Sequence, residues 1–369
     1  MQRIASYFLP AFTNLRSQRP GYTLLGRLDG HSGSVNCISF THDGMQLASG
    51  SDDESVRIWD IDLLVGLQVI RASDQTWGQI TCLTWLPGIA EQEGNALCFG
   101  TGRGHLALFR HNRNSSEMVE AAIIRAFDWG DGMEAMVFDP TLRRLLVSSH
   151  CGKIRMYSIK TNDSFLFSWE VVLNQEIPRS LFFMDNSQDV VVFGLEKGTM
   201  VYHDAQTGAE KSTRSLKPGI GNAAACHKGR QLVIDNLTEG FDIYTTSRMT
   251  SVVRRLRVPQ QRRGYFIRGV AFGEAAQAIM CGSDHGTIYV FAAKPSDEMQ
   301  TLVHAEGRLV QAIDTVSLPR KHLIASSISE GRFDICIWVK PVCNRRIFLL
   351  NERLITSGGR KLKPPFWTL

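Results

Sequence analysis

Short runs in which apolar and polar residues alternate recur along the whole chain. Each is four to eight residues long and bounded by turn residues. A period of two puts successive side chains on opposite faces of a strand, so these runs predict β-strands; helical periodicity of useful length is absent. One local unit repeats seven times. An apolar or small-residue run leads into a polar turn, and an alternating run then ends on an aromatic. The copies read "SGSDDESVRIWD", "CFGTGRGHLALF", "VSSHCGKIRMY", "VFGLEKGTMVY", "IDNLTEGFDIY", "MCGSDHGTIYVF" and "ASSISEGRFDICIW". Six of the turns hold a glycine: Gly104, Gly152, Gly198, Gly240, Gly286 and Gly331. A turn residue followed by glycine predicts a two-residue hairpin, because the favoured turn needs a positive φ that glycine adopts cheaply.

A further apolar run precedes each hairpin, starting at Val35, Ile80, Met133, Pro178, Gly221, Ile267 and Val310. The steps between these starts are 45, 53, 45, 43, 46 and 43 residues, and the long step contains the polar insertion "PGIAEQEGN". A fourth run follows each hairpin, as in "GLQVI", "FSWEVV" and "SVVRRLRV". Four strands per unit, seven units and a period near about 40–45 residues predict an all-β, seven-bladed propeller of four-stranded antiparallel blades. The last unit shows only three inner strands, around 310–316, 322–327 and 333–338. The apolar stretch "YTLLGRL" (22–28) has no blade of its own. It is expected to supply the missing outer strand and close the ring. The propeller then covers 22–340, between an N-terminal extension (1–21) and a basic tail (341–369).

Residues 28–61, "LDGHSGSVNCISFTHDGMQLASGSDDESVRIWDI", open on Gly-His and close on Trp-Asp, and they resemble a complete WD40 repeat. The other six copies keep the framework without the Trp-Asp dipeptide. "GNAAA", "DNLTEGF" and "GSDHGTIYVF" are similar to segments of fungal WD40 repeat-like proteins. The resemblance covers about residues 22–340 and implies a WD40 propeller. It also implies a buried hydrogen-bonded chain of His31, Ser49 (or Ser51), Asp53 and Trp59 inside the first blade. On that reading Asp52 and Glu54 ride an exposed turn, and the acidic triplet is neither a metal site nor an acid/base pair. No other copy has the Gly-His, and the sixth has His285 at the Asp53 position. Those blades are expected to rest on apolar packing between neighbours.

Composition adds little to this picture. The chain has 369 residues, 43% hydrophobic and 21% charged, with a formal charge of +5, which singles out no class of partner. Eight cysteines form no C-x-x-C pair, and several sit in apolar runs, as free thiols of a reducing compartment do. No run reaches the roughly 18 apolar residues of a membrane helix, and the first residues lack a signal-peptide pattern. These features predict an intracellular protein, in the cytoplasm ahead of the nucleus. The histidines show no metal-ligand spacing, and no phosphate-cradling loop followed by a helix is present, nor a nucleophile elbow. No cofactor and no catalysis are expected.

Two features remain as candidate binding surfaces. Between Arg248 and Arg268 there are seven arginines and no carboxylate. Arg254, Arg255, Arg257, Arg262 and Arg263 form a candidate basic patch for an anionic partner or nucleic acid, or else a solvated outer edge. The second is the rim. The residue after each anchor is Asn36, Thr81, Glu134, Arg179, Asn222, Arg268 or Gln311, polar in every unit. The resemblance implies that such positions face the central channel or the top surface, where partners are held. Trp77 and Trp129 precede the second and third units as candidate anchors. The expected function is therefore a monomeric, non-enzymatic scaffold for protein or peptide partners. Nucleic-acid binding through the arginine segment is the alternative, and an enzyme with a site on the channel top comes third. The tail adds Arg345, Arg346, Arg353, Arg360, Lys361 and Lys363 against Glu352, with Phe366 and Trp367 as docking candidates.

Overall fold

A computed structural model of the chain describes residues 20–342, apart from 75, 88–94, 113–114, 116, 185–186, 217–218, 227–229, 247–250, 261 and 296–298. The expectations for the N-terminal extension before residue 20, for Arg248 and for the tail residues from 343 onward lie outside the described residues.

Among the described residues the strands form seven four-stranded antiparallel sheets. Blade 1 runs outward through Val35–Phe40, Gln46–Ser51, Ser55–Asp60 and Val65–Arg71. The innermost strands of blades 2 to 7 are Ile80–Leu86, Met133–Asp139, Pro178–Phe183, Ala223–Cys226, Val270–Gly273 and Val310–Ser317. Each of these seven strands touches the innermost strands of both neighbouring blades, which closes the ring. The molecule is a seven-bladed β-propeller. Blade 7 is completed by Lys321–Ile328, Ile335–Pro341 and the N-terminal strand Thr23–Leu28. That strand pairs antiparallel with Ile335–Pro341, from Thr23 opposite Val339 to Leu28 opposite Ile335.

The core lies between the blades. Ala48, Val56 and Ile58 of blade 1 pack against Leu83, Trp85, Leu97 and Phe99 of blade 2, and comparable clusters fill the other interfaces. Burying one such large apolar side chain contributes roughly 1.5–3 kcal/mol. The inner three strands of each blade are covered on both faces, so they read as nearly continuous apolar runs. The outermost strands are half exposed: Val65, Leu67 and Val69 of blade 1 face solvent.

The hairpins differ from the expected two-residue form. Three residues join the second and third strands of blades 1, 2 and 3, and longer links serve the others. In those three blades the last link residue is left-handed: Glu54 (φ 61°), Gly104 (79°) and Gly152 (88°). Its N–H closes the turn onto Ser51, Thr101 or Ser149 at 3.3, 3.0 and 3.2 Å. This is a type I turn followed by a left-handed residue, the usual three-residue hairpin. Gly198, Gly286 and Gly331 also have positive φ, whereas Gly240 is the first residue of a strand. Glu54 therefore stands where the second and third blades use glycine. It is half-buried rather than fully exposed.

The turns between second and third strands, and the links from one blade to the next, all emerge on one face of the ring. This is called the upper face below.

Candidate partner-binding site

The acidic stretch of blade 1 resolves into a chain of hydrogen bonds. His31 lies 3.0 Å from Asp53 through Nδ1 and 2.8 Å from the Ser49 hydroxyl through Nε2. The indole N–H of Trp59 donates to the same hydroxyl at 2.8 Å. Ser51 is not part of this chain; its hydroxyl donates to the Gly33 carbonyl. Burial lowers the His31 pKa and outweighs the attraction of Asp53, which favours the neutral imidazole. Burial works against Asp53 too. There, hydrogen bonds from His31, from Ser55 and from the Ser32 N–H prevail and hold the carboxyl well below the usual range. Asp52 faces the channel mouth and accepts a bond from Asn36 at 2.7 Å.

Blade 7 contains a second chain of the same composition, contrary to the expectation that the later blades depart from it. His304 contacts Ser326 at 2.9 Å and Asp334 at 3.4 Å, and Trp338 donates to Ser326 at 3.2 Å. Arg27, on the closing strand, pairs with Asp334. His304, Asp334 and Cys336 are close enough to resemble a metal triad. Both imidazole nitrogens of His304 are already engaged by Ser326 and Asp334, so the cluster reads as blade core. Most other blades place one buried carboxylate near the upper face. Asp131 accepts the Cys151 N–H; Glu176 accepts those of Glu196 and Lys197; Asp284 accepts those of Arg263 and Gly264. These acids hold loops by satisfying backbone donors.

The structure gathers five of the seven rim candidates around the channel mouth. Asn36, Thr81, Glu134, Arg179 and Gln311 line a basin of about 400 Å³ together with Asp52, Gln79, Tyr265 and Phe266. Several of them tie adjacent blades together. Gln311 donates to the Val35 carbonyl at 2.8 Å, Asn36 to that of Ile80 at 3.0 Å, and Arg179 to Glu134 at 2.8 Å. The other two do not line the basin. Arg268 is 1% exposed, ion-paired with Asp235, donating to the Gly240 carbonyl at 3.0 Å, with its guanidinium over the Phe241 ring. A buried Asp235 one blade earlier captures it, so it cannot meet a partner. Asn222 supplies the carbonyl that receives the Asp235 N–H at 2.8 Å, while its side chain accepts from Ser180 of the previous blade.

Trp77 is likewise removed from the candidate anchors. It is 5% exposed and packs edge-on against Phe99 at 5.1 Å between ring centroids. Trp129 is 67% exposed. The arginine segment does not form one patch. Arg254, Arg255 and Arg257 lie on the outermost strand of blade 5, and Arg262 and Arg263 in the following link. Arg254 donates to the carbonyls of Ala292 and Lys294; Arg255 pairs with Asp242 and Glu239. Arg262 pairs with Asp235, and Arg263 donates to the Gly307 carbonyl. Arg257 is exposed. These cations mainly serve internal partners.

The sequence reading missed the aromatic pair in that same link. Tyr265 is 87% exposed and Phe266 is half exposed. Beside the basin lies a second cavity of about 350 Å³, lined by Leu195, Leu237, Thr238, Tyr265 and Ile267. Tyr265 and Ile267 belong to both, so the two form one trough, polar at the channel and apolar toward blades 4 and 5. The pair follows directly on Arg262, Arg263 and Gly264 in "RRGYFI", a segment whose dominant sequence signal is its charge.

The thiols are free among the described residues, with Cys151 exposed and Cys82, Cys98, Cys281 and Cys336 buried. Burial pushes Cys82 and Cys336 up to about 12, so neither is a ready nucleophile. No helix among the described residues is long and apolar enough to cross a membrane.

A family model described as "WD domain, G-beta repeat" matches residues 22–60. The chain is 29% identical over 136 residues to "Nuclear distribution protein nudF 2" of Penicillium rubens, covering 37% of this chain and 26% of that one. It is 22% identical over 304 residues to "Protein ROOT INITIATION DEFECTIVE 3" of Arabidopsis thaliana, covering 82% and 49%. It is 24% identical over 231 residues to "Eukaryotic translation initiation factor 3 subunit I" of Homo sapiens, covering 60% and 66%. The chain thus spans about a quarter of the first of these relatives and about half of the second.

Proposed function

The chain belongs to the WD40-repeat family, and from that premise we propose that it is a non-enzymatic scaffold holding a protein or peptide partner in the trough of its upper face. The observation that carries this reading is the joining of two cavities at Tyr265 and Ile267. A linear segment can seat an apolar side chain against Leu195, Leu237 and Tyr265 while its backbone reaches the polar side chains of Asn36, Glu134, Arg179 and Gln311. An exposed tyrosine beside an arginine is the pairing that anchors interfaces. The names of the relatives, a nuclear distribution protein and a translation-factor subunit among them, are compatible with a role in assemblies. The free thiols fit a reducing compartment such as the cytoplasm. The internal bonds of Arg254, Arg255, Arg262 and Arg263 weigh against nucleic-acid binding through that segment.

The test is proximity labelling with the wild-type chain and with a Tyr265→Ala, Arg179→Ala variant. Partners enriched by the wild type should be lost from the variant while its thermal midpoint stays the same. An unchanged partner set would exclude the trough.

A further inference from the structure

The trough presents one aromatic side chain on a fixed support. Tyr265 is 87% exposed, yet the link that carries it is held by its neighbours. Arg262 donates to the carbonyls of Gly264 and Phe266, and Asp284 accepts the N–H groups of Arg263 and Gly264. The Phe266 ring lies over Gly264, where an added Cβ would meet it at 2.9 Å. A tyrosine on such a platform loses little freedom when a ligand covers it. Charge does not select that ligand. Arg179 is tied to Glu134, and Arg262 and Arg268 share the buried Asp235 with Asp284 close by. Glu196 is followed by Lys197 in the turn of blade 4. With Asp52 and Arg263 added, the formal charges around the trough cancel.

The hydrogen-bonding capacity left over is one-sided. The carbonyls of Val35 and Ile80 at the mouth already receive Gln311 and Asn36. Asp52 accepts from Asn36, and Glu134 accepts from Arg179 and His150. Among the described residues the Gln79 amide and the Tyr265 hydroxyl have no partner, and Arg179 uses one nitrogen. What remains is mainly N–H and O–H donors. A ligand backbone rich in carbonyls and poor in N–H groups fits them, and each proline keeps its C=O but has no N–H. In the polyproline II conformation, with about three residues per turn, every third ring returns to the same side, where it packs on exposed aromatics. Strand addition is the poorer fit, because the residues lining the apolar cavity lie in turns and links and offer no free strand edge. From this inventory we infer that the trough takes a proline-rich segment of a partner protein, uncharged at its core, with two prolines three residues apart. One proline packs on Tyr265 and the other against Leu195 and Leu237, while carbonyls of the segment accept from Gln79 and Arg179. The inference rests on the trough being the partner site and narrows it to one chemistry.

The test is selection from a displayed library of random dodecapeptides on the full chain, followed by fluorescence anisotropy with the most enriched peptide. Enriched sequences should share two prolines at that spacing, with no recurring charge between them. Replacing either proline by alanine, or Tyr265→Ala in the protein, should weaken binding about tenfold. Gln79→Ala, which removes one donor, should weaken it by about threefold, and Tyr265→Phe, which keeps the ring, by no more than that. Leu142→Ala, an exposed position in a blade 3 turn away from the trough, should leave binding unchanged. Enrichment of peptides without the two prolines, or of peptides selected for charge, would overturn the inference. If such peptides still need Tyr265, the trough remains the partner site and only its occupant changes. Peptides indifferent to Tyr265→Ala would overturn both readings. Absence of any enrichment overturns the inference as well, and proximity labelling then decides the trough by itself.

Discussion

Ser49 serves two partners at once, the imidazole of His31 and the indole N–H of Trp59, and Ser326 does the same for His304 and Trp338. Removing either hydroxyl strands a buried donor, at a cost of about 1–3 kcal/mol. Ser326→Ala should therefore destabilise the fold about as much as Ser49→Ala in urea unfolding; a silent Ser326→Ala would mean that the second chain carries no weight. The first chain also sets a pH response. Asp53 has a folded pKa below its unfolded value of about 4, so the stability it contributes is present above that pH and is lost as the carboxylate is protonated below it. Burial likewise lowers His31, so protonation below about pH 6.5 favours the unfolded chain and acts in the same direction. The stability gap between wild type and Asp53→Asn should hold near neutrality and narrow below about pH 4. A gap constant down to pH 3 would contradict this linkage. The first chain was legible because its residues keep the family spacing, with Asp53 six positions before Trp59. In blade 7 Asp334 lies four before Trp338, behind a longer turn, and the same chemistry went unseen. Arg268 shows the complementary limit. Its position in the repeat was right, but its fate depends on Asp235, 33 residues earlier and in the adjacent blade.

Among the elements, the closing strand is the one whose role the sequence placed best, because the seventh unit had three strands and "YTLLGRL" had no partner. The structure adds the anchors that hold it. Leu28 is buried, Arg27 is paired with Asp334, and the Tyr22 N–H and carbonyl are both bound by the Gln300 side chain of blade 6 at 2.8 and 2.7 Å. Deleting residues 1–28 removes this strand and strips the outer edge of Ile335–Pro341. The thermal midpoint should fall by several degrees or the cooperative transition should vanish; an unshifted midpoint would show that the ring holds without its latch. The hairpin links were harder to foresee. A glycine signals a left-handed residue, yet Glu54 adopts that conformation without being glycine, and link length follows from the register of the flanking strands rather than from the turn dipeptide.

The whole ring was legible because one pattern recurs seven times at a nearly fixed period, and repetition multiplies a weak local signal. The candidate site was not, because no two of its principal residues are neighbours in a motif. Asn36, Thr81, Glu134, Arg179, Tyr265 and Gln311 come from six different blades or links, and only closure of the ring brings them to one basin. The same closure has a consequence for the chain during its synthesis. The strand at Thr23–Leu28 leaves the ribosome before the blades, and its partner at Ile335–Pro341 follows more than 300 residues later. At about 5–20 residues per second, the first strand waits roughly 15–60 s with an unpaired edge. Over that interval six blades can assemble in order while Leu24 and Leu25 remain available to any passing strand, which makes the nascent chain a natural client for a chaperone until its last hairpin emerges.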